Sequence, residues 1–274
     1  MPELPEVETV RRTLLKVLLG KEFSNVKINY PGVIKRIAVE EFSSLLQGKK
    51  ITDIRRRGKY LLLDVSGDKV LVVHFRMTGR LVFTNSEALE DKHTHVVFNF
   101  SDKSSLYFKD IRKFGTIYLL DSCDLHSIHG YAILGPEPLS KEFKFSDFRE
   151  KLRSSRKKIK QLLLDQQVVA GIGNIYADEI LHVSSIHPER IAETITNEES
   201  VILYDAIIKE LSEGITDGGT SFRDYVDGFG NKGEHQNHLK VYQKINKPCP
   251  RCGGTIARIK VSGRNSYHCP FCQK

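Results

Sequence analysis

Pro2 and Glu3 are the residues near the start of the chain whose types suggest catalysis. Pro2 directly follows the initiator methionine, and removal of Met1, which a small second residue permits, leaves a secondary amine at the N-terminus. A desolvated, neutral secondary amine attacks an aldehyde-like carbon to give a cationic iminium, which is an electron sink for elimination chemistry. Glu3 lies one peptide away, close enough for general acid–base work. The pair therefore predicts covalent catalysis through an N-terminal proline.

Four of the five cysteines lie near the end of the chain, apart from Cys123. They form two Cys-x2-Cys pairs separated by sixteen residues, namely Cys249, Cys252, Cys269 and Cys272. This is the spacing of a zinc ribbon, in which two knuckles close one tetrahedral site. Four thiolates leave no open coordination position, so we expect one structural Zn2+ and no metal catalysis. Arg264 lies between the knuckles, where a hairpin turn would present it to a phosphate or leave it simply solvated.

The charge balance indicates a polyanionic partner. Lysine and arginine number 42 against 34 acidic residues, for a net charge of +8, and phosphate contacts with counterion release would give such a chain its affinity. A soluble basic protein without such a partner is the alternative. Clustering of the basic residues at 35–36, 55–57 and 153–160 favours a nucleic acid.

The absence of a targeting segment and the pairing of the cysteines both indicate a protein of a reducing compartment. No apolar run reaches transmembrane length, and residues 1–20 carry acids where a signal peptide needs a basic start. We therefore expect a cytoplasmic protein with no membrane contact. In a reducing compartment, paired cysteines indicate a metal site and not disulfides.

Three groups of elements must position these residues. An N-terminal helix is predicted from apolar residues at helical spacing, with Pro5 at its first position and Gly20 placed to end it. Residues 21–120 alternate short apolar stretches with turn signals, which is typical of a sandwich or flattened barrel. Helical patterning follows at 146–165, 174–183 and 196–215. The long polar loop 217–237 is of a kind that is either functional or disordered.

Six motifs then reveal a family resemblance. They occur in order along nearly the whole chain: MPELPEVETVRR, RRGKYLLL, HFRMTGR, DIRKFGT, LLLDQQVVAGIGNIYADEIL and CPRC…GRNSYHCPFCQK. The sequence resembles the formamidopyrimidine-DNA glycosylases, bacterial repair enzymes that excise oxidised purines. The resemblance implies a multidomain α+β fold: an N-terminal β-sandwich catalytic domain with a packed helix at 1–130, a linker at 131–147, a helix–two-turn–helix DNA-binding domain at 148–236 with a lesion-capping loop at 217–237, and a zinc ribbon at 238–274.

The resemblance also assigns catalytic roles. Pro2 matches the nucleophile that attacks the sugar carbon once bonded to the damaged base, and Glu3 matches the acid–base residue that helps open the deoxyribose. Lys59 matches a lysine that contacts phosphate near the lesion, although Gly58 would also suit an ordinary hairpin lysine. Arg264 matches the ribbon arginine that grips phosphate beside the lesion.

A base inside a duplex must be flipped out before such an enzyme can reach it, and the void must be filled. The residues that match the family's void-filling side chains are Met77, Arg112 and Phe114. Arg112 would pair with the widowed base, that is, the base opposite the flipped nucleotide. The alternatives are a gap-filling core methionine at 77 and a core aromatic at 114.

The remaining implied contacts concern the DNA backbone and the extruded base. The resemblance implies backbone phosphate contacts from Lys160 and Asn174, and further DNA contacts from His93 and Tyr242. The base pocket is expected to comprise Glu6 with Thr220, Ser221, Phe222 and Arg223 of the capping loop. Four residues depart from the family pattern: Thr78, Gln243 after Tyr242 where glycine is common, and Asn265 and Ser266 after Arg264. We expect the turn at Arg264 to survive, because asparagine tolerates left-handed backbone and serine keeps a hydroxyl.

These inferences predict a bifunctional glycosylase and abasic-site lyase of base excision repair. It would act as a monomer on double-stranded DNA containing oxidised purines or abasic sites, in the bacterial cytoplasm at the nucleoid, and would leave a gap by β- and then δ-elimination. The sister family, endonuclease VIII, shares the fold and nucleophile but prefers oxidised pyrimidines. An N-terminal-proline tautomerase would be much smaller and would explain neither ribbon nor basic clusters. A non-catalytic zinc-ribbon DNA-binding protein would leave Pro2 and Glu3 unexplained.

Overall fold

The computed structural model describes residues 1–85 and 90–274, and their contacts divide the chain into two compact units. The first unit comprises Met1–Ala132 with Asp217–Gln236, and the second comprises Ile133–Thr216 with Asn237–Lys274. The predicted α+β multidomain class is confirmed. Residues 217–236 pack with the N-terminal unit, although the boundaries drawn from sequence group them with the helical domain, because their backbone hydrogen-bonds to the N-terminal helix and the sandwich.

The helices of the described residues are α1 (Leu4–Leu18), α2 (Val39–Leu46), α3 (His129–Ala132), α4 (Phe145–Arg153), α5 (Ile159–Leu163), α6 (Asn174–Val183) and α7 (Asn197–Thr216). The strands are β1 (Phe23–Ile28), β2 (Ile34–Lys35), β3 (Ile51–Arg57), β4 (Tyr60–Val65), β5 (Lys69–His74), β6 (Gly79–Thr84), β7 (Thr94–Phe100), β8 (Ser105–Asp110), β9 (Thr116–Asp121), β10 (Ala257–Val261) and β11 (Arg264–His268). Among the described residues, no helix has both the length and the apolarity needed to cross a membrane.

The first unit is a two-sheet sandwich. One sheet has the order β1-β7-β8-β6 and the other β2-β9-β5-β4-β3, with antiparallel pairing throughout except between β2 and β9. One apolar cluster joins the inner faces of both sheets with α1, which contributes Val7, Val10 and Leu14. Burying these surfaces removes apolar area from water and holds α1 against β3 and β4. The first residues of the chain are thereby fixed next to the β3–β4 hairpin.

The second unit contains a helical core of α4 to α7. α6 spans 174–183 as predicted, but the single helix expected over 146–165 is wrong, since α4 ends at Arg153 and α5 begins at Ile159. The intervening backbone leaves the helix to pair elsewhere. Lys158 forms an isolated bridge with Ile191, and the N–H of Ile159 donates to the carbonyl of Arg190. These long-range bonds replace the helical ones that periodicity alone suggests.

The ribbon ends the second unit. β10 and β11 pair antiparallel, and their two-residue turn, Ser262-Gly263, has left-handed φ values of 47° and 78°. Such φ values are characteristic of tight hairpin turns. Asn265 and Ser266 lie in the strand beyond this turn, so their departure from the family pattern leaves the turn intact for a different reason from the one expected.

Candidate active site and metal centre

The N-terminal residues of the chain form the capped start of α1. Glu3 precedes α1 and is 2% exposed, and its N–H donates to Oε2 of Glu6 at 2.7 Å. Pro5 stands in the first turn of α1, where its missing N–H costs no hydrogen bond. Pro2 is buried beside Glu3, while Met1 is half exposed. The helix cap therefore fixes the peptide that joins Pro2 to Glu3.

Glu6 connects this start to the loop at 217–236. Its second carboxylate oxygen accepts the N–H of Thr220 at 2.7 Å, across 214 positions of sequence. Tyr225 donates its hydroxyl to the carbonyl of Gly218 at 3.0 Å, which closes the same segment. The structure thus brings together Glu6 and Thr220, two of the residues predicted for the base pocket.

The other predicted pocket residues divide into an anchored serine and an exposed pair. Ser221 is buried and its hydroxyl accepts the N–H of Gly233 at 3.0 Å. Gly233 lies so close to the carbonyl of Gly219 that a Cβ there would overlap it. Phe222 and Arg223 are exposed. The loop is therefore closely packed where Gly219 meets Gly233, and Phe222 and Arg223 face solvent.

Lys59 occupies the two-residue turn between β3 and β4, where Gly58 has a φ of 54°. It is a hairpin residue, but it is only 7% exposed, unlike an ordinary solvated turn lysine. Nearby, Nε of Arg56 pairs with Glu8 at 3.1 Å and its guanidinium donates to the carbonyl of Gly58. These bonds tie the turn that carries Lys59 to α1.

Glu8 is the charged centre of that connection. Although burial opposes ionisation, hydrogen bonds from Arg11 and Arg12 and the charge of Arg56 lower the pKa of Glu8 to about 2. The carboxylate is therefore ionised at neutral pH, and α1 is joined to β3 by a part-buried ion network.

Met77, Arg112 and Phe114, predicted to fill the void, lie together in the first unit. Met77 is 42% exposed and Phe114 is 51% exposed, so the core alternatives for these two residues are wrong. The guanidinium of Arg112 approaches Met77 Sδ at 2.9 Å and lies 4.8 Å from the ring centroid of Phe114. A cation over an aromatic face is attracted by the ring quadrupole. The three side chains thus form one exposed cluster with an apolar and a cationic part.

Asp110, which sequence reasoning missed, builds this cluster. It is fully buried and accepts the N–H groups of Arg112 at 3.1 Å and Gly115 at 2.7 Å, and also the hydroxyl of Thr78. Thr78 in turn accepts the N–H of Arg112 at 3.0 Å. The signal was an aspartate two residues ahead of Arg112, the arrangement of an Asx turn. Thr78, noted as a departure from the family pattern, thus points inward and links the β5–β6 loop to the β8–β9 loop.

His74 and His93 flank the same loops. His74 is buried and its Nδ1 accepts the N–H of Arg76 at 3.0 Å, which supports the left-handed backbone of Arg76, with φ of 54°, directly before Met77. Burial and the nearby charges of Arg76 and Lys59 lower the pKa of His74 to about 3, so the ring is neutral and carries its proton on Nε2. His93 is half-buried, and its carbonyl accepts the N–H of Asp110 at 2.9 Å.

In the second unit, Lys160, for which a phosphate contact is predicted, lies in an enclosed position. This side chain is 0% exposed, and its ammonium pairs with Asp178 at 2.7 Å and donates to the carbonyl of Asn265 at 2.9 Å. Lys160 thus holds β11 against the helices, and its phosphate contact stays a prediction. Burial raises the pKa of Asp178 to about 6, although the Lys160 ammonium opposes the rise.

Asn174, Tyr242 and Arg264 keep positions compatible with DNA contact. Asn174 is the first residue of α6 and donates to the carbonyl of Asn265 at 3.0 Å. Arg264 is exposed at the start of β11, directly after the hairpin turn. Tyr242 is half-buried, and the next residue, Gln243, has a φ of 59°. That left-handed backbone explains why a glycine suits this position.

Glu179 is a second residue that sequence reasoning missed. It is fully buried and accepts three consecutive N–H groups, those of Lys240, Val241 and Tyr242, at 2.7, 3.0 and 2.8 Å. Buried carboxylates need such donors. Glu179 therefore fixes the backbone that leads from the helices into the ribbon, including the segment that presents Tyr242.

The four predicted metal ligands converge. Their sulfur atoms all lie within 4.8 Å of one another, with Cys249 to Cys272 at 3.9 Å and Cys252 to Cys269 at 3.6 Å. Tetrahedral zinc with Zn–S bonds of about 2.3 Å requires sulfur atoms about 3.8 Å apart. The residues therefore fit a structural zinc ion.

These features define a modular α+β protein with a helix-capped N-terminal proline site and a four-cysteine zinc ribbon. Three domain families match the chain in order: the formamidopyrimidine-DNA glycosylase N-terminal domain at residues 1–117, the formamidopyrimidine-DNA glycosylase H2TH domain at 134–226, and a zinc finger found in FPG and IleRS at 246–274. The chain belongs to the formamidopyrimidine-DNA glycosylase family.

Individual relatives agree over the full length. The formamidopyrimidine-DNA glycosylase of Pelotomaculum thermopropionicum is 49% identical, over 100% of this chain and 99% of that protein. The Lactococcus lactis Fpg in complex with abasic-site DNA is 41% identical, with a TM-score of 0.94 and 99% of each chain covered. A Lactococcus lactis Fpg mutant with Fapy-dG DNA also has a TM-score of 0.94 and 41% identity, over 100% of both chains.

Proposed function

We propose that this chain is a bifunctional DNA glycosylase and abasic-site lyase of base excision repair that removes oxidised purines from duplex DNA. One observation supports this most strongly. The full-length relative from Lactococcus lactis has been solved with abasic-site DNA, and this chain places Pro2 and Glu3 at a buried, capped helix start. The four-cysteine site has no open coordination position, so zinc contributes structure and not chemistry.

In the proposed reaction, Met1 is first removed and the Pro2 amine attacks C1′ of the damaged nucleotide. The glycosidic bond breaks, the base leaves with a proton, and Glu3 assists the opening of the sugar ring. The resulting Pro2 iminium makes a proton at C2′ acidic, and loss of that proton expels the 3′ phosphate. A second elimination expels the 5′ phosphate and leaves a one-nucleotide gap. Both eliminations use the iminium as an electron sink, and water then hydrolyses the iminium to release the sugar fragment from Pro2.

The exposed cluster of Met77, Arg112 and Phe114 would fill the void left by the flipped nucleotide. An apolar wedge replaces lost base stacking, and a guanidinium can hydrogen-bond the acceptor edge of a widowed cytosine. The extruded base would enter the space beside Glu6, beneath the loop segment that begins at Thr220. Main-chain groups of that segment would then contact the base.

Phosphate binding would involve both units. Lys59 and His93 in the first unit, and Asn174, Tyr242 and Arg264 in the second, are the proposed contacts. The chain would act as a monomer in the bacterial cytoplasm, at the nucleoid.

Borohydride trapping tests this function directly. Incubation of the protein with duplex DNA containing an abasic site and sodium borohydride should give a covalent complex whose cross-linked peptide begins at Pro2. Glu3→Gln should lose base excision far more than DNA binding. A cross-link that maps to Lys59 or to another lysine would overturn the assignment of the nucleophile.

A further inference from the structure

His182 is a buried side chain that none of the proposed contacts uses. It lies on α6, is 2% exposed, and has its Nε2 3.3 Å from the sulfur of Cys249, which is also 2% exposed. Cys249 is one of the four zinc ligands, whereas His182 belongs to the helical module. The contact therefore joins a helix outside the ribbon to the metal-binding sulfur.

The position of His182 follows from helix periodicity. Asn174, Asp178 and His182 are spaced four residues apart, which places them on one face of α6. Asn174 donates to the carbonyl of Asn265, and Asp178 accepts the hydroxyl of Ser266 at 2.8 Å. His182 is the next position along this face and reaches the zinc knuckle. Because the first two bonds hold the helix against β11, the imidazole is oriented toward the sulfur of Cys249.

The proton arrangement follows from the surroundings of the ring. Nδ1 of His182 is buried and has no hydrogen-bond partner among the described residues. A proton on Nδ1 would leave a buried donor unsatisfied and would turn the Nε2 lone pair toward a thiolate. A proton on Nε2 instead gives the thiolate a donor, so this tautomer is favoured.

We propose that His182 is an outer-sphere residue of the zinc site, which donates an Nε2–H hydrogen bond to the Cys249 thiolate and thereby retains the metal. Four thiolates around Zn2+ carry a net charge of −2, and a hydrogen bond withdraws charge from the sulfur that accepts it. That sulfur becomes a poorer nucleophile toward protons and alkylating agents. Partners of this kind orient metal ligands and strengthen binding.

The test uses the full-length, zinc-loaded protein and two variants of one residue. His182→Phe keeps a planar ring without a donor, whereas His182→Gln keeps an N–H near the position of Nε2. Zinc transfer to a chromophoric chelator gives the release rate, and alkylation followed by mass spectrometry gives the order in which the cysteines react. His187→Phe is the matched control, because His187 faces the ribbon but contacts His268 and not a sulfur.

His182→Phe should release zinc about ten-fold faster or more, with Cys249 alkylated first, while His182→Gln and the control stay near the wild-type rate. A wild-type release rate in a folded His182→Phe protein would overturn the proposal. Equal acceleration in the Phe and Gln variants would also overturn it, since packing alone would then explain the effect. Should the Phe variant fail to fold, His182→Met provides a flexible apolar replacement for the same comparison. Since no DNA is present, the outcome is independent of the proposed enzymatic function.

Discussion

Three buried carboxylates, those of Glu6, Asp110 and Glu179, each accept main-chain N–H groups from a segment that carries candidate site residues. Hydrogen bonds to a charged acceptor are stronger than neutral ones, and losing one leaves a buried group unsatisfied. Asp110 and Glu179 are not among the residues proposed to contact the reacting groups, whereas Glu6 is proposed to lie beside the extruded base. Their effect is to fix the backbone from which the contacting side chains project.

Asp110→Asn tests this positioning role. The amide would turn an N–H2 group toward the N–H donors of Arg112 or Gly115, and losing bonds of about 1.5–3 kcal/mol should disorder the Met77–Arg112–Phe114 cluster. Steady-state assays on 8-oxoguanine opposite cytosine should show kcat/KM reduced about ten-fold or more. Asp102→Asn, at an exposed turn of the same sandwich, should stay near wild type. Undiminished excision by the Asp110 variant would contradict this role.

Glu8 predicts a pH dependence of stability. Its pKa falls from 4.5 to about 2 on folding, so its ionisation stabilises the fold above about pH 4.5, and this contribution is lost as pH drops toward 2. Glu8→Gln should therefore be less stable than wild type at pH 7, and the difference should shrink between pH 4.5 and 2. Urea midpoints across this range measure the difference, with Glu40→Gln, at an exposed position of α2, as control. A difference that is constant with pH would be inconsistent with the ion network.

At the scale of elements, α6 holds the ribbon through its polar face and the zinc closes the ribbon's knuckles. Neither the β10–β11 hairpin nor its small core of Val241, Ile256 and two cysteines is large enough to be stable alone. Removing zinc should therefore melt the hairpin and weaken DNA binding. Circular dichroism and a binding titration with a chelator-treated, verified metal-free sample will show this. Full binding and activity without zinc would refute it.

Arg264 is the residue that this hairpin presents. Arg264→Ala should weaken DNA binding and reduce the slope of log affinity against log salt by about one phosphate contact. Lys209→Ala on α7 removes the same charge from an exposed helix face and serves as the control. Equal salt slopes for the Arg264 variant and wild type would count against a phosphate contact.

Lys160→Met separates a structural from a DNA-contacting lysine. Because Lys160 is enclosed and paired with Asp178, its loss leaves an uncompensated buried charge and should destabilise the protein by about 3–5 kcal/mol. Adding Asp178→Asn should recover part of the loss. Urea unfolding measures both. An unchanged stability with a reduced salt slope would instead support the predicted phosphate contact of Lys160.

At the scale of the whole molecule, the net charge of +8 attracts DNA without choosing a lesion, and selectivity must come from the pocket and the void-filling cluster. We expect 8-oxoguanine opposite cytosine to be cleaved fastest, since the guanidinium of Arg112 matches the acceptor edge of cytosine. Turnover of 8-oxoguanine should be slower when it lies opposite adenine, and turnover of thymine glycol opposite adenine should be slowest. Faster cleavage of thymine glycol than of 8-oxoguanine opposite cytosine would indicate endonuclease VIII specificity.

Features that depend on local spacing could be predicted from the amino-acid sequence. The Cys-x2-Cys pairs, the capped start of α1 and the alternating strands each depend on residues close together in the chain, because ligand geometry, helix caps and strand pleats repeat over short distances. The family motifs added the identity of the site. For these reasons the fold class and the metal site were predictable from the sequence.

Contacts between groups that are distant in the chain could not be predicted, because they depend on the tertiary fold. Glu6 meets Thr220, Lys160 is enclosed by Asp178 and Asn265, and backbone pairing of 158–159 with 190–191 divides the helix predicted over 146–165. A lysine in a basic run is expected to face solvent, and nothing local shows that an acid on another helix buries it. Burial and long-range hydrogen bonding depend on packing of the whole unit, and local spacing carries no record of it.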